Sequence, residues 1–236
     1  MESDSPIKGV VFDIGATLVT GPPVAPNKVI AGLMDGVTPA DVSSIIMTRK
    51  FEGPEEVCAA LEARYGALSK EATTGIVELW DSQASAPKEI PGAQEAVLAL
   101  KARGLKIGFL SDIWCPYYAG VEKVLPEAIA AADAIVLSFN SGSRKPEPGN
   151  FIWVLKRMRV TSSQAVMVGD TYTHDIRPAL GIGMKAIWVL ARQDREAESL
   201  DGVQKGELPD PTATVKDIRE VPALDIWDSV STDTTD

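Results

Sequence analysis

Five short apolar runs divide the chain, and none of them alternates with polar positions. They occupy residues 9–12, 105–110, 134–137, 165–168 and 186–190. Each run has the length of a strand, and an uninterrupted apolar run suits a strand that is buried on both faces of a parallel sheet. Between the later runs, apolar positions recur at helical spacing over 93–102, 118–131 and 149–158. This βαβα order predicts an α/β fold with a doubly wound parallel sheet.

A long insertion separates the first run from the second. It spans about ninety residues, whereas a crossover between parallel strands needs a dozen or somewhat more. Helical spacing recurs in it near 27–34, 39–50, 54–65 and 70–83, with glycines between the segments. We therefore expect core residues over 1–20, an inserted all-helical domain over 21–86, the rest of the core over 87–195, and an acidic, partly flexible segment over 196–236, where residues 229–236 have almost nothing to bury.

The composition excludes several classes of function. The 236 residues include 23 Lys and Arg against 33 Asp and Glu, which makes the formal net charge −10. That excess opposes binding to nucleic acid or to an anionic membrane through any broad basic surface, so we expect neither as a partner. Two cysteines are too few for a disulfide framework or a structural zinc site, and the first residues lack the pattern of a signal peptide. We expect a soluble, cytoplasmic protein.

Polar side chains follow three of the apolar runs at the point where each run ends. In chain order they are Asp13, then Ser111 with Asp112, then Asp170 with Asp175 five residues on. The carboxyl ends of parallel strands meet at one edge of a sheet, where ligands bind, so we expect these side chains to converge. Carboxylate oxygens are ligands that Mg²⁺ prefers. Lys145, in a polar loop over 141–148, offers the opposing charge.

Four segments resemble, in order and spacing, the motifs of the haloacid dehalogenase (HAD) superfamily. They are Phe12-Asp-Ile-Gly-Ala-Thr-Leu18, the run that ends at Ser111, Lys145-Pro-Glu-Pro148, and Gly169-Asp-Thr-Tyr-Thr-His-Asp-Ile176. The resemblance covers roughly residues 7–190. In members that have a helical cap of the C1 type, the cap is inserted after the first motif, where this chain has its long insertion. The resemblance therefore implies a Rossmann-like core with such a cap over 21–86.

The resemblance also implies a hydrolase, a Mg²⁺-dependent phosphatase or phosphotransferase that acts on a small phosphorylated metabolite. Asp13 falls on the nucleophile that becomes an aspartyl-phosphate, and Ser111 and Lys145 fall on the groups that bind the transferring phosphoryl oxygens. Asp112 lies beside them as a further candidate for substrate binding. The implied metal ligands are Asp13, the backbone carbonyl of Gly15, Asp170 and, as a second ligand or a support, Asp175.

One position departs from the family pattern. Most phosphatases of the superfamily carry a second aspartate two residues after the nucleophile, and Gly15 stands there instead. The missing carboxylate is the family's general acid and base, whose contribution is typically about 10²–10⁴-fold. Asp112, His174 and Glu52 are candidates to replace it, although His174 is also interpreted as an exposed loop residue. Alternatively the leaving group needs no acid, as in an acyl phosphate or a pyrophosphate.

Two other functions remain open at this point. The first is a catalytically impaired protein of the same fold that binds or regulates, since loss of the second aspartate is the kind of change that stops turnover. The second is a 2-haloacid dehalogenase, because those relatives also lack the second aspartate. They use no metal, however, and usually carry an aromatic residue where Gly15 stands and an asparagine in the last motif. Asp170 and Asp175 count against that alternative.

Overall fold

The computed structural model describes residues 6–227, so the flexibility expected for 229–236 lies outside the described residues. Within that range the strands are β1 (Gly9–Phe12), β2 (Val19–Thr20), β3 (Lys88–Glu89), β4 (Lys106–Ser111), β5 (Ala134–Leu137), β6 (Ala165–Gly169), β7 (Lys185–Val189) and β8 (Ala213–Val215). Six of them form one parallel sheet in the order β5-β4-β1-β6-β7-β8, and β2 pairs with β3 in a separate antiparallel ribbon. The predicted α/β fold with a parallel sheet is confirmed.

Helices connect the strands and also build the insertion. In chain order they are α1 (Pro26–Gly32), α2 (Pro39–Ile46), α3 (Pro54–Tyr65), α4 (Lys70–Gln83), α5 (Ala93–Ala102), α6 (Cys115–Val124), α7 (Pro126–Ala130), α8 (Ser138–Ser141), α9 (Pro148–Met158), α10 (Arg177–Gly181) and α11 (Ala197–Gln204). The single helix predicted over 118–131 is wrong. The backbone leaves the helical region at Leu125, and Pro126, which has no N–H to continue the hydrogen-bond ladder, starts a new helix there.

Apolar layers cover both faces of the sheet, which explains why the strands do not alternate. In β1, Val10 and Phe12 belong to one buried cluster, whereas Val11 between them belongs to the cluster on the other face. The same division separates Val168 from Met167 in β6. Every residue of both strands is buried. A polar residue on either face would therefore lose its water contacts, and the strands are apolar throughout.

The sixth strand of the sheet lies beyond the point where the apolar pattern predicts the end of the core. β8 pairs in parallel with β7, and Trp227 is buried further along, where its indole Nε1 donates to the carbonyl of Val221 at 2.7 Å. β8 has three residues and only Val215 is buried, so it carries too little apolar pattern to predict a strand. Part of the segment over 196–236 thus belongs to the sheet.

The insertion packs against the carboxyl edge of the sheet, where the N–H of Phe51 donates to Sγ of Cys115, the first residue of α6. α1 to α4 begin at prolines or at side-chain caps, such as Ser69, whose hydroxyl accepts the N–H of Ala72 at 3.0 Å. The β2–β3 ribbon carries the chain into and out of the insertion. At its end, Gln83 accepts a hydrogen bond from Trp114 Nε1 at 3.1 Å.

Among the described residues, no helix combines the length and the apolar character needed to span a membrane.

Candidate active site

Three carboxylates converge at the carboxyl ends of neighbouring strands. Because β1 pairs with β6 in parallel, Asp13 and Asp170 leave the sheet side by side, and Asp175 joins them from the helical turn Tyr172–Ile176. One oxygen from each of the three lies within 4.8 Å of the others, and all three residues are buried. The convergence expected from the strand ends is therefore present.

A glycine at the end of β6 makes room for Asp175. A Cβ atom on Gly169 would lie 2.5 Å from both Cβ and Cγ of Asp175, closer than real carbon atoms approach each other. The N–H of Thr171 then donates to Asp175 Oδ2 at 3.0 Å and orients the carboxylate. Any larger residue at position 169 would displace Asp175 from the cluster.

Lys145 bridges two of the carboxylates. Its Nζ lies 2.6 Å from Asp13 Oδ1 and 2.5 Å from Asp175 Oδ1, with the lysine almost fully buried. The backbone N–H of Lys145 donates to Asp112 Oδ1 at 3.0 Å, which ties the lysine loop to the end of β4. Burial alone would lower the pKa of Lys145, but the carboxylates of Asp13 and Asp175 raise it above its ordinary value. The ammonium group is therefore charged.

Two hydroxyl groups complete the contacts of Asp13. Ser111 Oγ donates to Oδ1 of Asp13 at 3.2 Å, and Thr17 Oγ1 donates to Oδ2 at 3.2 Å. Both oxygens of Asp13 are thus held in place by neighbouring donors. Thr17 was not among the predicted site residues. Its position four residues after Asp13, inside the first motif, is the signal that could have identified it.

Arg192 is a second residue that the sequence pattern did not indicate. Its guanidinium group forms an ion pair with Asp170 Oδ2. Arg192 follows β7, the strand next to β6, so it obeys the same strand-end rule that identified the aspartates. An arginine three residues past a strand falls outside the predicted set of carboxylates and hydroxyls.

Burial makes the negative charge in this cluster costly. It raises the pKa of Asp175 to about 7 against the opposing charge of Lys145, and the charge of Asp13 adds to the rise. Burial raises the pKa of Asp170 as well, with Asp13 adding to the effect and Arg192 opposing it. The three carboxylates contact two cations, so one negative charge is in excess when all are ionised. A cluster of hard oxygens with excess negative charge fits a divalent cation such as Mg²⁺.

The predicted site residues share one cavity, which we call the carboxylate cavity, with a volume of about 200 Å³. Its lining residues are Asp13, Gly15, Ser111, Asp112, Lys145, Asp170, Thr171, His174, Asp175 and Arg192. His174 is half-buried rather than exposed, and burial lowers its pKa. Glu52 does not line the cavity. It is exposed and pairs with Lys50 at 2.7 Å, so the structure does not bring it to the site.

A second cavity adjoins the first beneath the insertion, and we call it the insert cavity. It has a volume of about 220 Å³. Gly15, Ser111, Asp112 and Arg192 line both cavities. The remaining lining residues are mostly apolar: Ala16, Gly21, Pro22, Ala25, Pro26, Met47, Ile113, Trp114 and Tyr117. The two cavities therefore form a charged end and an apolar end of one site.

Comparison with known proteins identifies similar sequences. The family model described as haloacid dehalogenase-like hydrolase matches residues 7–183. A glyceraldehyde 3-phosphate phosphatase from Pyrococcus abyssi is 29% identical over 122 residues, which are 49% of this chain and 48% of that protein. The match thus spans about half the length of this relative. A glyceraldehyde 3-phosphate phosphatase from Methanocaldococcus jannaschii is 26% identical over 209 residues, 81% of this chain and 89% of that protein.

Solved structures share the fold. A HAD family hydrolase from Deinococcus radiodurans R1, with bound phosphate and sodium, superposes with a TM-score of 0.62 at 17% identity, covering 97% of this chain and 99% of that one. An L-2-haloacid dehalogenase from Xanthobacter autotrophicus superposes with a TM-score of 0.56 at 16% identity, covering 92% of this chain and 98% of that one. At these identities the likeness is one of fold alone.

Proposed function

Because the chain belongs to the haloacid dehalogenase-like hydrolase family, we propose that it is a Mg²⁺-dependent phosphatase or phosphotransferase that acts on a small phosphorylated metabolite through an aspartyl-phosphate at Asp13. The observation that carries the proposal is the pair of contacts that Lys145 makes with Asp13 and Asp175 in a buried cluster of three carboxylates. The names of the phosphatase relatives support a phosphorylated substrate of few carbon atoms.

The excess negative charge of the cluster supports the metal requirement. A phosphate dianion would meet three carboxylates and two cations, so an added positive charge is needed for it to bind. Asp13, the backbone carbonyl of Gly15 and Asp170 would hold the cation, with Asp175 as a support. A bound Mg²⁺ supplies charge that stabilises the phosphoryl oxygens during transfer.

Asp13 then attacks phosphorus, and the bond from phosphorus to the leaving oxygen breaks. Lys145 has three N–H donors, of which two are directed at Asp13 and Asp175, so one is free for a phosphoryl oxygen. Ser111 Oγ donates to the same oxygen of Asp13, so its hydroxyl lies beside the attacking carboxylate and would donate to the phosphoryl group. In the second step, water attacks phosphorus, the bond from phosphorus to Asp13 breaks, and inorganic phosphate departs with both protons of the water, which restores the carboxylate of Asp13.

Gly15 determines which leaving groups suit this site. With no carboxylate at this position, an alkoxide leaving group lacks its usual proton donor, so we expect slow hydrolysis of simple phosphomonoesters. An acyl phosphate releases a carboxylate, which needs no proton. We therefore expect acetyl phosphate to be hydrolysed faster than glyceraldehyde 3-phosphate, whose leaving group is an alkoxide, unless Asp112 or His174, which line the same cavity, supplies the proton.

Activity measurements with Mg²⁺ test this function. Release of inorganic phosphate is measured from acetyl phosphate, p-nitrophenyl phosphate, sugar phosphates and nucleotides, with and without EDTA. The Asp13→Asn variant is the control for contaminating activity, because the amide keeps the shape of the carboxylate but is a poor nucleophile. We expect metal-dependent release that the variant lacks. Equal release by the two proteins would show that Asp13 is not the nucleophile.

A catalytically impaired binding protein is the second candidate, and the glycine at position 15 is the observation that favours it. It predicts binding of phosphate or vanadate with Mg²⁺ and no turnover of any compound tested.

The dehalogenase alternative predicts chloride release from 2-chloropropionate that persists in EDTA. The buried cluster of three carboxylates counts against it, because metal-free chemistry has no need of that charge.

A further inference from the structure

The ion pair between Arg192 and Asp170 occupies one of the carboxylates that a divalent cation would need. Arg192 contacts Asp170 Oδ2, which is buried, while 38% of the arginine side chain is exposed. An oxygen that accepts hydrogen bonds from a guanidinium group is less available to a metal ion. Arg192 therefore competes with a cation for Oδ2 of Asp170, and binding of a cation to that oxygen requires Arg192 to turn away.

The insert cavity is where a displaced guanidinium group can go. Arg192 already lines this cavity as well as the carboxylate cavity. Its Nε is buried and has no hydrogen-bond partner among the described residues, although buried N–H donors are nearly always paired. The Nε–H group of Arg192 is thus an unused hydrogen-bond donor where the two cavities meet.

The lining of the insert cavity indicates what that donor would bind. Most of its residues are apolar, and its ionised side chains are Asp112 and Arg192. Asp112 already accepts the N–H of Lys145 and pairs with Arg144 at 3.4 Å, so its charge is balanced. Once Asp170 binds metal, no other carboxylate that lines the insert cavity is free to pair with Arg192. An anionic group would be the complementary partner in such an apolar enclosure.

We propose that Arg192 is a specificity-determining residue, which binds a carboxylate at the end of the substrate opposite its phosphate once a divalent cation has taken Asp170. This inference rests on the proposed phosphatase function. It assigns the substrate to phosphorylated carboxylic acids of few carbon atoms. The cavity of about 220 Å³ is smaller than the range of about 300–1,000 Å³ that suits drug-sized ligands, in agreement with a short carbon chain.

The first test measures metal binding without any substrate. Calorimetry of Mn²⁺ binding to the metal-free protein is compared for the wild type, Arg192→Met and Arg195→Met. Arg195 is exposed, lies on the same loop and lines neither cavity, so its variant controls for the lost charge. Because Arg192→Met removes the guanidinium group that competes for Asp170, we expect this variant alone to bind Mn²⁺ about fivefold more tightly than the wild type. Equal affinities for the three proteins, or weaker binding by Arg192→Met, would overturn the competition.

The second test compares two substrates that differ only at the end opposite the phosphate. 3-Phosphoglycerate ends in a carboxylate, and glyceraldehyde 3-phosphate has the same three carbons and ends in an aldehyde. We expect a lower KM for the carboxylate in the wild type. At saturating Mg²⁺, Arg192→Met is expected to raise that KM by about tenfold more than it changes the KM for the aldehyde, with partial recovery in Arg192→Lys. Equal effects on both compounds, or none, would overturn the inference.

The same comparison separates this inference from the proposed function. If the wild type hydrolyses neither these two compounds nor acetyl phosphate, the proposed function fails, and the affinities of the two compounds in the presence of Mg²⁺ are measured by calorimetry instead. Tighter binding of 3-phosphoglycerate that depends on Arg192 would still support the inference. If the protein hydrolyses both compounds with the same KM, the inference fails and the proposed function stands.

Discussion

The Nζ atom of Lys145 lies 2.6 Å from Oδ1 of Asp13, across 132 positions of the chain. The contact places a buried positive charge on the oxygen that faces Ser111, and it directs the other side of the carboxylate towards Thr17. A nucleophile held in this way loses little conformational freedom when it reacts. The same ammonium group keeps one donor free, so it serves both the carboxylate and an incoming phosphoryl oxygen.

Replacement of Lys145 by methionine is expected to lower kcat/KM by at least about 10²-fold, because the transferring phosphoryl group loses a charged donor in a site shielded from water. Phosphate release with Mg²⁺ measures the effect. Lys156→Met, on the exposed face of α9, removes a lysine elsewhere and should keep full activity. A Lys145→Met enzyme with more than about a tenth of the wild-type activity would contradict this role.

Introduction of an aspartate at position 15 is expected to speed phosphomonoester hydrolysis by about 10²-fold, because it restores a general acid and base. The backbone accepts the change: a Cβ atom there meets nothing within 4 Å. The rate with glycerol 2-phosphate, whose leaving group is an alkoxide, measures the gain, and acetyl phosphate, which needs no acid, should gain less. Gly15→Asn is the matched control for size. If asparagine accelerates the reaction as much as aspartate, proton transfer is not the cause.

Ala16 is a strained position, and its replacement by glycine is expected to leave stability unchanged or raise it by up to about 1 kcal/mol. Ala16 has φ of 59°, in the left-handed region that costs an L-residue about 1–2 kcal/mol. Relief of that strain offsets the greater freedom that glycine has in the unfolded chain. Urea unfolding measures the difference. Ala99→Gly, at an exposed position within α5, is the control and should lose about 1 kcal/mol. If the two variants lose equal amounts of unfolding free energy, Ala16 is not strained.

Asp133 makes stability depend on pH in the acid range. Partial burial alone would raise its pKa, but hydrogen bonds from Lys101, Lys106 and the N–H of Ile107 lower the pKa to about 2. The folded-state pKa lies below the value of about 3.9 of an unfolded chain. The stabilisation is therefore complete above pH 4 or so and is lost as the pH falls towards 2.

Asp133→Asn is expected to lower the free energy of unfolding by about 1 kcal/mol at pH 7, a small value because water screens the lysines. The difference between variant and wild type should shrink as the pH approaches 2. Urea titrations at several pH values measure it. Asp201→Asn, on α11 and in an exposed pair with Lys205, is the control and should change stability little at any pH. A difference that is independent of pH would show that the charge of Asp133 is not its cause.

Local sequence patterns predicted much of this molecule, because burial acts on each element separately. A strand covered on both faces must be apolar throughout, so strands β1 and β6 could be predicted from their own residues, without knowledge of the neighbouring strands. The residue after such a strand lies at the ligand-binding edge wherever the strand falls in the sheet. Asp13, Ser111 and Asp170 therefore followed from position alone. β8 could not be predicted in this way, since three residues with a single buried side chain carry no hydrophobic pattern.

Only the tertiary structure decided which side chains meet at that edge. The sheet order β4-β1-β6-β7 places the residues after β7 beside those after β6, and this brings Arg192 to Asp170. The fold also brings His174 to the carboxylate cavity and leaves Glu52 on the surface with Lys50. The pairing of charges far apart in the chain depends on strand order and loop geometry. No local periodicity encodes either, because the energy of an ion pair depends on distance in space rather than on separation along the sequence.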